Sequence, residues 1–335
     1  MRHIARWDLD KTYLRTEFDT LRDIVRTAFE RADEKRTNPG AGTLMREMVK
    51  AGNEVHVLSG SPEQMRKRIE EKLRLDGVTW HSLTLKPNLK NILRLRLRAV
   101  KDQLGYKLPM LLAARASIEV PDGDALPRET LFGDDSEADV FVYALFADFL
   151  SGKLEQELLV EVMERGLVYE DVLEQSVRSM NSIVRGDVVE RIFIHLEGQS
   201  PPSDFHIYGP RVVPFYNYFQ AALVLHEDDR ISSEGVLRVA TELLREHRFN
   251  GERLARSHQE LARRGHLRGT RVAQLEASLA REPRGPFRTD LEMFVEQLPK
   301  LSKEAESRFD PKPDLSIPDY VALVEHHNNR RRKHR

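Results

Sequence analysis

Asp8 and Asp10 stand two residues apart in "RWDLDKTYL" (6–14), just after a short apolar run. Aspartate is depleted in strands and expensive to bury alone. The pair is therefore either a helix cap or turn, or two acids sharing a charged partner such as a metal. More groups of the same kind follow. Ser59 lies in "VLSGSPEQM" (57–65), Lys107 opens an apolar helical stretch, and "GDDSEAD" (133–139) carries Asp134, Asp135 and Asp139. Taken singly, each has an ordinary explanation: loop hydrogen bonding for Ser59, a solvated acidic helix start for "GDDSEAD". Taken together, acids crowded at one edge repel each other unless a cation holds them. A hard cation with oxygen ligands, Mg²⁺, meets that need. A metal among carboxylates, with a lysine and a hydroxyl nearby, is equipment for phosphoryl transfer: cations neutralise phosphate oxygens, the hydroxyl donates a hydrogen bond and one carboxylate attacks.

Such groups must be brought together by the elements between them. Strand-like runs at 4–7, 54–58, 78–85, 130–132 and 191–196 alternate with helical stretches at 43–50, 63–75, 107–116 and 140–150. Leu44, Met45 and Met48 mark one helix face; Met65, Ile69 and Leu73, spaced by four, mark another. This alternation predicts a parallel sheet with helices on both faces. In such sheets ligands bind outside the carboxyl ends of the strands, where Asp8, Asp10, Ser59 and the Asp134 cluster fall. Residues 151–188 read as a helical insertion, and 191–196 as the last strand of the same sheet. Residues 199–325 read as a helical C-terminal domain, with an apolar stripe of Val236, Val239, Ala240 and Leu243. The aromatic-rich 209–225 reads as packing core between domains or in a dimer. The ending "HHNNRRRKHR" (326–335) reads as a basic, disordered tail.

The order Asp8-x-Asp10-x-Thr12, Ser59 after an apolar strand, a helix-start lysine, then Gly133-Asp134-Asp135 and Asp139 resembles the four signatures of the haloacid dehalogenase (HAD) superfamily. The stretches 57–65, 106–118, 131–144 and 191–197 are similar in order and spacing to the catalytic domain of bacterial relatives of the fungal actin-patch phosphatidate phosphatase. The resemblance covers 1–198 and implies a HAD-like Rossmannoid sheet with a small or absent cap. It implies Asp8 as nucleophile, Asp10 as the acid and then the base, Ser59 on a phosphoryl oxygen, Lys107 on the phosphate and on Asp8, and Thr12 fixing the loop. It also implies Mg²⁺ on Asp8, the Asp10 carbonyl and Asp134, with Asp139 or Asp135 behind a water or in support. Lys86 and Lys90 in "LKPNLKN" compete with Lys107, which is preferred because its helix leads to the "FGDD" strand. Arg6 interrupts the apolar run before Asp8, and Lys11 stands where the fungal-type family has an acid.

The expected activity is phosphomonoester hydrolysis, with phosphatidate-like lipid as the favoured substrate class. Only 50 residues separate Asp8 from Ser59, room for a small lid from 18–35, and an open site suits a large or surface-bound substrate. Arg94, Arg98 and Lys101 share one helical face opposite Leu93, Leu97, Val100 and Leu104. That face could meet an anionic membrane surface, but a solvated helix side is the preferred reading. Two rival functions stand beside the first: a phosphatase on a nucleotide, sugar phosphate or polynucleotide end, and a non-catalytic module binding a partner through its C-terminal helices. The formal net charge of −1 gives no global field for nucleic acid. The absence of cysteine excludes disulfides, thiolate metal sites and a cysteine nucleophile. With no apolar leader and no run long enough to span a bilayer, a cytoplasmic protein is expected. His195, Glu197 and His206 match no ligand spacing, and His195 is assigned to the sheet.

Overall fold

The computed structural model describes residues 2–15, 36–86, 103–121, 123–136, 138–268, 271–281, 285–306 and 316–333. The expected lid segment 18–35, Lys90 and the cationic face of Arg94, Arg98 and Lys101 lie outside them. Six strands, β1 (His3–Asp8), β2 (Glu54–Pro62), β3 (Ser82–Lys86), β4 (Arg128–Asp134), β5 (Val189–His195) and β6 (Val212–Phe215), form one sheet in the order β3-β2-β1-β4-β5-β6. Every neighbouring pair is parallel. The fold is Rossmann-like α/β, as the strand–helix alternation predicts. The chain lays down β2 and β3 outward from β1, then returns to β1's other side with β4. The carboxyl ends of β1 and β4 thus border the crevice where the strand order reverses.

Alternation along the strands sorts side chains onto two faces. Trp7, Phe132 and Phe193 sit at paired register positions and form a stacked row, with ring centroids 3.9 and 4.9 Å apart. This row faces α1 (Ala41–Lys50), α2 (Arg66–Leu75), α7 (Tyr218–Glu227) and α8 (Ser233–Glu246) in one core. Leu131, Ile192 and Ile194 face the other way, onto α3 (Lys107–Ala116), α4 (Asp139–Leu150), α5 (Gln156–Arg165) and α6 (Glu170–Ser182). The last two are the helical insertion expected over 151–188. Beyond α8 the chain adds α9 (Gly251–Arg263), α10 (Val272–Arg281), α11 (Arg288–Glu306) and α12 (Tyr320–Lys333). Cap chemistry starts several helices where the sequence has Asn or Ser. Asn217 accepts from the Gln220 N–H, Ser232 from Gly235 and Asn250 from Arg253.

Two expectations need correction. The boundary at 198/199 falls inside the sheet, because β6 lies beyond it and leads into α7, which packs on the β1 side. A four-residue strand containing Pro214 leaves little period-two signal, and proline tolerates only a place such as this edge. C-terminal helices also bond to the N-terminal half directly: Arg238 of α8 grips Glu47 of α1 through two hydrogen bonds of 2.6 and 2.7 Å. The basic ending is likewise not a disordered tail through 333, since α12 runs to Lys333. Its first turns are anchored by buried Tyr320, whose hydroxyl donates to Asp148 at 2.6 Å, and by buried Val324. Once a helix is nucleated, each further hydrogen bond requires only one more residue to be fixed.

Gly40 shows how closely the two halves meet. Its φ of 84° lies in the left-handed region, and a Cβ there would stand 3.0 Å from the Tyr218 Cβ and 3.2 Å from Val239.

Candidate active site

Asp8 ends β1 and Asp134 ends β4, so both emerge at the reversal point of the sheet. Asp139 is the first residue of α4, five residues on. The three carboxylates are buried, and each offers an oxygen within 4.8 Å of the others. Lys107 joins them from α3. Its Nζ lies 3.0 Å from Asp8 Oδ1 and also donates to Asp139 Oδ1, with the side chain almost wholly buried. A lysine at the first position of a helix opposes the helix dipole. Here two buried carboxylates, Asp8 and Asp139, oppose that penalty.

The remaining contacts are short and local. Asp139 Oδ2 accepts from the Asp134 N–H at 3.2 Å, so both of its oxygens are engaged. Asp134 Oδ1 accepts the Ser136 N–H at 2.6 Å and the Ser136 hydroxyl. Thr12 donates to Asp8 Oδ2 at 3.2 Å, as expected for a residue fixing this loop. Asp10 turns aside: its Oδ2 accepts the hydroxyls of Ser59 and Ser61, each at 3.1 Å. It is half-buried, as are Gly60, Ser61 and Ser136, and these residues form the solvent side of the cluster. Tyr106 donates to the Ser59 carbonyl at 2.5 Å.

The loop after β1 is held from three directions. Asn38 donates to the carbonyls of Lys11 and Thr12 at 2.9 and 2.8 Å. Tyr218, from α7, donates to the Thr12 carbonyl. His195, at the end of β5, places Nδ1 3.2 Å from the Lys11 carbonyl. Burial lowers the His195 pKa, so the ring is neutral with its proton on Nδ1 for this bond. Burial, then the nearby Asp134 and Asp8 charges, pushes the Tyr218 phenol well above its usual range, and it stays a donor. Lys11 takes a φ of 58°, a left-handed conformation that this clamp maintains.

Asp8, Asp134, Asp139 and Lys107 are thus gathered, with Asp10 and Ser59 beside them. One expected residue, the alternative to Asp139, is not. Asp135 points away, and its oxygens accept the N–H groups of Gly198 and Ser200 at 2.6 and 2.9 Å. Asp135 lies one residue past the end of β4, where the chain bends, and its carboxylate faces the loop at 198–200. The Asp10 carboxylate, expected as proton carrier and not as the metal's donor atom, accepts from the two serines. Lys86 places its ammonium 5.2 Å from the centre of the Tyr106 ring. Sequence reasoning missed Ser61, Ser136, Asn38 and Tyr218. Ser61 was visible as a hydroxyl two residues from Ser59 in an extended stretch. Tyr218 had no local signal, since it meets the site 206 residues from Thr12.

The chain matches no family model, no curated protein and no solved structure.

The donor set itself indicates what fits. Three buried carboxylates around one ammonium form a hard, all-oxygen, anionic site, which suits a divalent cation such as Mg²⁺ and not a soft metal. Asp8, Asp134 and Asp139 are the residues that could hold it.

Gly133 makes the cluster possible. A Cβ there would lie 2.5 Å from Asp139 Oδ2, 2.7 Å from Asp139 Cβ and 2.8 Å from the Tyr143 ring, all of them buried groups. Gly133→Ala should lower stability by about 1–3 kcal/mol, the usual scale for overpacking a core. A urea midpoint equal to that of wild type would show that α4 can retreat freely.

Proposed function

We propose that the chain is a phosphomonoester hydrolase of the HAD type working through Asp8. The observation that carries this reading is the placement of Asp8 and Asp134 at adjacent strand ends, with Lys107 between Asp8 and Asp139. In this reading an Asp8 oxygen attacks phosphorus, an acyl-phosphate bond forms and the ester P–O bond breaks. Asp10 gives its proton to the leaving oxygen. It then takes a proton from the water that cleaves the acyl-phosphate and releases inorganic phosphate. Its two serine hydroxyls orient its carboxyl at the solvent side, where leaving group and water both arrive. Lys107 holds Asp8 in place and opposes the phosphoryl charge. A divalent cation on Asp8 and Asp134 would supply further neutralisation of the phosphoryl oxygens.

Support for a lipid substrate comes from the sequence resemblance and from the cationic face at 94–101, outside the described residues. The test is phosphate release with Mg²⁺ from p-nitrophenyl phosphate, sugar phosphates, nucleotides and phosphatidate in mixed micelles. Release that stops with EDTA and returns with Mg²⁺ is expected. No release from any substrate would refute hydrolysis, and release from soluble substrates alone would refute the lipid class.

A further inference from the structure

A second site stands apart from the acidic cluster and does not depend on the hydrolase reading. Two cavities, of about 380 and 570 Å³, adjoin where α1 meets α8 and the start of α11. They share Thr43, Arg46, Glu242 and Arg245 as a common wall, so they form one trough. None of Asp8, Asp10, Ser59, Lys107, Asp134 or Asp139 lines it. Each volume falls within the range of small-molecule sites, roughly 300–1,000 Å³.

The two halves differ in chemistry. The smaller cavity has an apolar floor of Leu237, Leu279, Leu291 and half-buried Phe287. The larger is polar and cationic, with Arg15, Arg36, Arg46, Lys72 and Arg245 around the hydroxyls of Thr37 and Thr43. Among the described residues that line the two cavities, seven arginines and lysines face four carboxylates, although the whole chain carries a net charge of −1. The carboxylates are already committed. Glu47 is gripped by Arg238, and Glu242 accepts from the Gly40 N–H at 2.9 Å and from the Thr43 hydroxyl. Asp76 accepts from Lys72, Tyr13 and Thr37 at 2.7, 2.6 and 2.7 Å, and Glu246 pairs with its neighbour Arg245. Three arginines are not so matched. Arg46 donates only to neutral oxygens, the Asp76 carbonyl and the Thr43 hydroxyl. Among the described residues, Arg15 and Arg36 form no ion pair. Guanidinium groups that line one cavity in excess of its carboxylates repel each other, and an anion relieves that repulsion through forked hydrogen bonds.

We infer that this trough binds a small organic phosphate, its phosphate among Arg15, Arg36 and Arg46 and its apolar body against Phe287 and the leucine floor. Both parts of the ligand are needed: the apolar floor cannot hold free phosphate, and the arginines give nothing to a neutral body.

Binding is measured by calorimetry on the full chain in EDTA, with AMP, hexyl phosphate, adenosine and inorganic phosphate as probes. AMP or hexyl phosphate should bind at least about tenfold more tightly than inorganic phosphate, and adenosine should bind more weakly than AMP. Arg46→Gln and Arg36→Gln, both at exposed positions, should each weaken that binding about tenfold or more. Asp8→Asn should leave it unchanged. Binding of neither organic phosphate, or binding equal to that of inorganic phosphate, would overturn the assignment. So would binding that survives both arginine variants, or that is lost in Asp8→Asn, which would place the probe at the acidic cluster. Because the variants and the EDTA condition avoid turnover, the outcome is independent of whether the chain hydrolyses anything.

Discussion

Asp8→Asn is expected to abolish phosphate release, by about 10⁴-fold or more, the scale seen when a covalent nucleophile is removed. The fold should survive. Asp8 is buried within 4.8 Å of two other carboxylates, and removing its charge relieves repulsion with Asp134 and Asp139. Lys107 keeps its bond to Asp139. Thermal stability without metal should therefore be equal to or above wild type. The rise in melting temperature on adding Mg²⁺, expected for wild type from binding to the folded state alone, should shrink or vanish. Asp134→Asn should lose the same rise if, as proposed, its carboxylate is the other ligand. Full turnover in Asp8→Asn would refute the nucleophile. An undiminished Mg²⁺ shift in both variants would move the metal elsewhere.

The largest loss of stability should come from Glu129→Ala. Glu129 is fully buried on β4 and accepts Arg6 Nε at 2.6 Å and Nη2 at 3.1 Å, with Arg115 Nη1 at 2.9 Å. Arg6 lies on β1 and Arg115 on α3, both almost wholly buried. One carboxylate thus ties together the two strands that carry Asp8 and Asp134. Truncating it strands two buried guanidinium groups, and breaking such a pair costs about 3–5 kcal/mol. The pH dependence has a definite sign. Burial raises the Glu129 pKa, but Arg6 and Arg115 outweigh it, and the folded value lies below the usual carboxylate range. The ionised form is therefore favoured by folding. Its stabilisation is fully present above the unfolded pKa of about 4.3 and is lost as pH falls through the lower folded value. Urea titrations should show wild type losing stability below about pH 4.3 more steeply than Glu129→Gln, which has no proton to gain there. A Glu129→Ala midpoint within error of wild type would show that solvent reaches the arginines.

Arg6 illustrates why part of this was hidden. In the sequence it interrupts an apolar strand; in the fold it is an ion-pair partner whose acid lies 123 residues away. Lys107 was more legible, because its helix leads directly into the β4 strand. Asp135 misled because its partners, the N–H groups of Gly198 and Ser200, lie more than 60 residues away. β6 escaped because four residues with a proline carry almost no periodic signal. The helix through 320–333 escaped because its charge run reads as solvated tail, while Tyr320 and Val324 are buried where no sequence window reveals a partner.

The sequence by itself determined the parallel α/β plan and the acids that could meet at its edge. Strand periodicity, helix spacing and chain order are local properties, and a parallel sheet brings all strand ends to one side. Only the tertiary structure decided which acids meet, that Ser61 and Ser136 join them, and that Tyr218 and His195 hold the loop. Those choices depend on the direction of each side chain and on contacts between distant segments, which packing determines and residue order does not.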